Sequence, residues 1–175
     1  MSESAMSESI WNDLVARHRG EPHLDPHAPQ AAVLACADAR VSPTALFGQP
    51  PGSLFVVRVA GNTAGPAAAA SLDFAVDQLG VGLIVVLGHT GCGAVAAAAA
   101  GTCDGYLAPV VDPICELAAA HPEATAEELV HLNVDATVAA LRAHDGPVGV
   151  AARDGSVDIR AAVHDLHSGE LLVHP

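Results

Sequence analysis

Hydrophobic and polar positions follow two alternating patterns along the chain. Short continuous apolar runs occupy residues 31–36 (AAVLAC), 54–57 (LFVV) and 83–87 (LIVVL). Runs of this length predict strands buried on both faces, as in a parallel sheet covered by helices. Residues 148–151 (VGVA) and 157–164 (VDIRAAVH) offer a fourth and a fifth strand. Asp154-Gly155 between them is a hairpin signal, so the last strand is expected as an antiparallel edge.

Helical spacing fills the intervals. Residues 7–18 predict an N-terminal helix, and 66–79 a second one that starts after Gly65-Pro66 and stops at Gly80. The small-residue stretch 92–100 (CGAVAAAAA) predicts a third. The clearest helix is 126–143, where Thr125 and Glu128 fit a capping box and Leu129, Leu132, Ala136, Ala139 and Ala140 recur on one face. Residues 101–114 carry Gly101, Gly105, Pro109 and Pro113 and read as a loop with room for one helical turn. The expected fold class is therefore α/β: a mostly parallel four-stranded sheet flanked by helices, with an antiparallel fifth edge strand. In such sheets ligands bind beyond the carboxyl ends of the strands.

Composition narrows the function classes. The 175 residues suit a single domain over 1–175, with 1–25 as an N-terminal arm. Seven basic residues, all arginine, face 20 acidic ones, for a net charge of −13. An acidic surface repels phosphate backbones and anionic lipids, so neither nucleic acid nor a membrane surface is expected as a partner. The longest strongly apolar runs are far shorter than the ~20 residues of a membrane span. The start, MSESAMSESIW, lacks the basic and apolar regions of an export signal, and a cytoplasmic location is expected. In that setting cysteines in motifs point to metal binding or catalysis rather than to disulfides.

Two such motifs stand at predicted strand ends. The first strand runs into Cys36-Ala37-Asp38-Ala39-Arg40, where Cys36 and Asp38 share a side while the chain stays extended. The third runs into Gly88-His89-Thr90-Gly91-Cys92-Gly93, where a turn can present His89 and Cys92 to one ion. Neighbouring parallel strands would bring both ends together. Two thiolates, an imidazole and a carboxylate are the ligand types that zinc takes in a tetrahedron. Cys103 and Cys115 lie outside both motifs and read as ordinary thiols. His121, His131, His144, His164, His167 and His174 read as surface groups.

With those motifs in place, the chain resembles the β-class carbonic anhydrases. CADAR and GHTGCG carry the likeness, followed by VSPTALFGQPPGSLFVVRVAGN (41–62), SLDFAVDQLGVGLIVVLGHTGCGAV (71–95), HLNV and VHDLHSGEL. It spans about residues 30–170. The resemblance implies zinc-dependent, reversible hydration of carbon dioxide to bicarbonate and a proton by a zinc-bound hydroxide. It makes Cys36, His89 and Cys92 the zinc ligands and Asp38–Arg40 the catalytic dyad. Zinc lowers the pKa of bound water from 15.7 towards about 7. Two thiolates leave the metal more negative than three histidines would, so the rate should favour alkaline pH. Asp38 has two places in the family: on Arg40, orienting the hydroxide, or on zinc in a closed state.

Some positions depart from the family's pattern. Val33 stands where a tryptophan of the bicarbonate-regulated members would be, and Arg58 is then expected as an ordinary salt-bridge partner. The substrate-binding glutamine is replaced by His27, whose N–H can donate in its stead. Gln30, three residues on, is the other candidate. Phe55 and Phe74 resemble the apolar substrate wall, Gly61 fits close backbone approach at the metal, and Asn62 and Thr63 are expected to cap the next turn. The resemblance also implies a homodimer or dimer of dimers, with an N-terminal helix bearing Trp11, Leu14 and Val15 against the neighbour. Rival readings are a carbonyl sulfide or carbon disulfide hydrolase on the same scaffold and a catalytically silent zinc protein. A dinucleotide-binding domain fails, because no GxGxxG follows the first strand.

Overall fold

The computed structural model describes residues 3–20 and 25–175. Five strands, β1 (Ala31–Cys36), β2 (Leu54–Val59), β3 (Leu83–His89), β4 (Asp158–His164) and β5 (Leu171–Val173), form one sheet in the order β2-β1-β3-β4-β5. The first four are parallel, and β5 joins β4 antiparallel. Every residue of β1 is buried, as its unbroken apolar run requires. One sheet face carries Leu34, Ile84, Val86 and Ile159 into the main core. The other carries Val33, Ala35, Leu87 and Ala162 into a smaller cluster.

The helices are α1 (Glu3–Ala16), α2 (Pro43–Leu46), α3 (Pro66–Leu79), α4 (Gly93–Ala99), α5 (Ala108–Ala120), α6 (Ala126–Ala143) and α7 (Pro147–Asp154). The Thr125–Glu128 capping box is present in full at the start of α6. α6 then crosses β3 so closely that a Cβ on Gly88 would lie 2.4 Å from Val134 Cγ2. Only glycine fits there.

Several expectations need correction. Residues 148–151 belong to α7, not to a strand: Pro147 opens the helix, and Val148 and Ala151, one turn apart, are its buried face. Gly155, at φ 83, ends that helix, so Asp154-Gly155 is a helix terminus rather than a hairpin. The strand after it is therefore parallel to β3, and the antiparallel edge is Leu171–Val173. Residues 108–114, expected as loop, begin α5, with Pro109 in the first turn where a missing N–H is tolerated. Cys103 and Cys115 are not free thiols but a disulfide.

Three of the expected surface histidines are half-buried and partnered. His144 Nε2 meets Asp73 Oδ2 at 2.9 Å. His131 Nδ1 lies 2.9 Å from His174 Nε2, and His174 Nδ1 lies 2.7 Å from Asp135 Oδ1. Asn62 and Thr63 do not cap α3: its N-cap is Gly65, and Thr63 Oγ1 donates to the Val110 carbonyl instead. The N-terminal helix starts four residues before the predicted one and leaves Met6, Ile10, Trp11, Leu14 and Val15 exposed along one side. Part of the expected arm, residues 1–2 and 21–24, lies outside the described residues.

Candidate metal centre

The sheet order puts β1 beside β3, so their carboxyl ends lie next to each other. Cys36 is the last residue of β1 and His89 the last of β3. Gly91, at φ 65, turns the chain sharply enough to set Cys92 directly before α4. The donor atoms of Cys36, His89 and Cys92 all lie within 4.8 Å of one another, and the two sulfurs are 3.9 Å apart. All three residues are buried.

The hydrogen bonds prepare these groups to hold an ion. His89 Nδ1 donates to the Thr90 carbonyl at 2.9 Å, which fixes the tautomer and turns the Nε2 lone pair towards the sulfurs. That Nε2 is fully buried and has no hydrogen-bond partner. A buried polar atom without a partner is costly, and a metal ion would take its lone pair. Gly61 N–H donates to Cys36 Sγ at 3.4 Å. Two sulfurs and an imidazole nitrogen are a donor set for a soft or borderline cation, so the residues present fit such an ion.

The electrostatics agree. The Cys92 thiol beside it pulls the Cys36 thiol down to about 4, against its burial, and further support comes from His89 and the Gly61 N–H. Cys92 is pushed up by the same contact and by desolvation. The pair thus shares one proton in the metal-free chain. Burial opposes protonation of His89, yet Cys36, the Thr90 carbonyl and Asp38 outweigh it and raise its pKa.

Asp38 stands at the mouth of this cluster, its Oδ2 4.0 Å from His89 Nε2. Arg40 grips it through both oxygens. The arginine's charge-assisted bonds hold the Asp38 carboxyl well below the usual carboxylate range. Arg40 also lies against the Gly91 carbonyl.

Of three supporting residues, Asn133 and Glu127 were not singled out in the sequence and Arg58 has partners other than those expected. Arg58 is not a salt-bridge partner: its Nε donates to the Cys36 carbonyl at 2.9 Å and its Nη2 to the Asp38 carbonyl. It thereby fixes the stretch that presents both side chains. Asn133, buried on α6, donates to the Gly61 carbonyl at 2.8 Å. Glu127 accepts from Gly91 N–H at 3.1 Å. A single asparagine among the buried apolar residues of α6 was the legible signal for Asn133.

His27, Phe55 and Phe74 are brought to one another but not to the cluster. The rings of His27 and Phe55 stack at 6.0 Å, and Phe55 and Phe74 lie 6.3 Å apart. In the sheet register Phe55 pairs with Ala32, whereas Cys36 pairs with Val59. Four strand residues, about 13 Å, separate the two levels. Gln30 sits at the same far end and donates its amide to Gln49 Oε1 at 2.6 Å.

The family described as carbonic anhydrase matches residues 31–171, a span that contains all three donors and the Asp38–Arg40 pair. The chain belongs to the β-class carbonic anhydrases. It is 39% identical over 160 residues to the carbonic anhydrase of Pseudomonas aeruginosa, covering 82% of this chain and 72% of that protein. It is 36% identical over 153 residues to carbonic anhydrase 2 of Mycobacterium tuberculosis, covering 83% and 74%. Among solved structures, the β-carbonic anhydrase CafA of Aspergillus fumigatus superposes with a TM-score of 0.75 at 27% identity, over 98% of this chain and 84% of that one. The Coccomyxa β-carbonic anhydrase in complex with acetazolamide gives 0.73 at 28% identity, over 97% and 78%. This member of the family therefore carries its candidate metal cluster at and just beyond the strand ends that the fold makes adjacent. Among its described residues no helix is long and apolar enough to cross a membrane.

Proposed function

We propose that this chain catalyses the reversible hydration of carbon dioxide at a zinc ion held by Cys36, His89 and Cys92. The observation that carries the reading is the buried, unpartnered His89 Nε2 beside two sulfurs, with Asp38 held 4.0 Å away. A zinc ion held there would supply a bound water acidified towards a pKa of about 7 and a positive charge beside the substrate. Cys36 and Cys92 would hold it as thiolates, with His89 Nε2 as the third donor. Asp38 accepts a hydrogen bond from the attacking water and orients its lone pair towards the carbon. Arg40 keeps Asp38 in that place rather than on the metal, which supports the catalytic role over the closed-state ligand role. Gly61 serves through its N–H, which steadies Cys36 Sγ.

The ring row of His27, Phe55 and Phe74 acts as the apolar substrate wall of a neighbouring subunit's centre, in a homodimer or dimer of dimers. Phe74, half exposed, and the exposed apolar side of α1 support this assembly. His27 is the better stand-in for the usual glutamine, because it stacks on Phe55 whereas Gln30 turns its amide onto Gln49.

Stopped-flow hydration of carbon dioxide at alkaline pH, on protein assayed for zinc in the same batch, tests the proposal. One zinc per chain and hydration that vanishes in Asp38→Ala and Cys92→Ala are expected. Full zinc without hydration overturns it and turns attention to carbonyl sulfide and carbon disulfide as substrates.

A further inference from the structure

The Cys103–Cys115 disulfide joins the segment after α4 to the middle of α5. Both elements support the metal cluster. α4 begins directly after the donor Cys92. In α5, Ile114 is fully buried beside Cys115, and its Cδ1 lies 2.8 Å from where a Gly61 Cβ would stand. The Val110 carbonyl of the same helix accepts from Thr63 Oγ1 at 3.2 Å. α5 thus backs the turn whose Gly61 N–H bonds Cys36 Sγ at 3.4 Å. Ala94 of α4 closes the other side of that turn, 3.2 Å from the same Cβ position. One covalent bond therefore ties together the supports of both ligand cysteines.

Both disulfide cysteines are only half-buried, on the outer side of this brace. Their chain neighbours Asp104 and Glu116 are exposed.

We propose that Cys103 and Cys115 are a thiol–disulfide exchange site: oxidised, the pair braces the metal centre, and reduction by a dithiol loosens it. In the exchange one thiolate of the dithiol attacks Sγ of Cys103 or Cys115, breaking the S–S bond and forming a mixed disulfide. The dithiol's second sulfur then displaces the protein sulfur. Two electrons pass to the cysteine pair, two protons end on Cys103 and Cys115, and the dithiol leaves as its disulfide. Without the bond, the segment after α4 parts from α5, Ile114 no longer presses on Gly61, and Cys36 loses a fixed hydrogen-bond donor. The inference rests on the metal-site reading but not on the activity reading.

The test uses the full-length zinc-loaded protein. Alkylation after denaturation with a chelator should count two free thiols before reduction and four after treatment with a dithiol. Zinc transfer to a chromogenic chelator, followed after a phosphine reductant has been removed, should be about tenfold faster in the reduced form, at the lower end of what outer contacts contribute to metal affinity. Cys103→Ser and Cys115→Ser should match the reduced rate and cease to respond to the reductant. A change in zinc release without any hydration activity would sustain the brace while removing the activity reading. Four free thiols in protein exposed to oxidant, or equal release rates in the two forms, overturn the proposal.

Discussion

Asp38 and Arg40, two residues apart beyond the end of β1, are joined by three hydrogen bonds. The Arg40 backbone N–H and Nε both reach Asp38 Oδ1 at 2.9 Å, and Nη2 reaches Oδ2 at 2.7 Å. The pairing keeps the carboxylate ionised throughout the neutral range and fixes its direction. Asp38→Asn keeps the shape but replaces one acceptor oxygen with a donor, and should lower kcat by roughly 10²–10⁴, the range of a positioned proton-handling group. Arg40→Ala should lower it by about 10–100-fold, as loss of an outer support does. In Arg40→Ala the Asp38 carboxyl moves back up towards its ordinary range, so the acid-side loss of activity should begin at higher pH. Steady-state rates of both variants across pH check this. An Arg40→Ala profile superimposable on that of the wild type would refute the role given to the dyad.

Metal binding should carry a proton signature. The metal-free Cys36–Cys92 pair holds one proton, and His89 binds a proton more readily than a free imidazole. Zinc needs both sulfurs as thiolates and His89 neutral, so loading releases the shared proton and the fraction carried by His89. Affinity therefore rises with pH and falls as acid refills these sites. Calorimetric titration of apo protein in buffers of different ionisation enthalpy should give at least one proton released per zinc near neutrality, and more below it. Release that stays constant as the pH is lowered would contradict the assignment of His89.

Arg58 is a positioning residue whose loss leaves the donors in the chain but frees the backbone between them. Its bonds to the Cys36 and Asp38 carbonyls hold the exit of β1. Arg58→Met, which keeps much of the side-chain length, should weaken zinc affinity by roughly tenfold. Competition with a chelator of known affinity measures it. A general loss of folding would instead lower the melting temperature of the metal-free form, so that form is measured alongside.

What could be read from the chain follows a physical division. Ala31–Cys36 and Leu83–Leu87 were legible because strands buried on both faces need unbroken apolar runs, and Cys36 and His89 end the two strands built on them. The capping box marked α6 because its two hydrogen bonds need those residue types at that spacing. Residues 148–151 were not legible as helix: four apolar residues fit either period, and only the burial of Val148 and Ala151 one turn apart decides. β5 is short and exposed, so no core demand marks it. The Cys103–Cys115 bond depends on how α5 returns against α4, which no local pattern encodes. The rings of His27, Phe55 and Phe74 form one row, but no local pattern encodes the parallel register that sets Phe55 a strand's length from the candidate metal cluster of the same chain.

Gly61 offers a way to separate packing from chemistry at this centre. Its φ of 73 lies where side chains are disfavoured, and a Cβ would meet Ile114 Cδ1 at 2.8 Å and Ala94 Cβ at 3.2 Å. Gly61→Ala should therefore cost about 1–3 kcal/mol of stability through backbone strain and overpacking. Ile114→Val removes the nearest methyl and opens space on that side of the turn. The double variant should recover part of the stability lost by Gly61→Ala, because the two residues are in contact and their effects are not additive. Only the steric share can return, since φ remains positive. Thermal melts of the two single variants and the double variant, with zinc and without, provide the cycle. Strict additivity would mean that Ile114 does not press on the Gly61 turn, and would remove α5 from the support of Cys36.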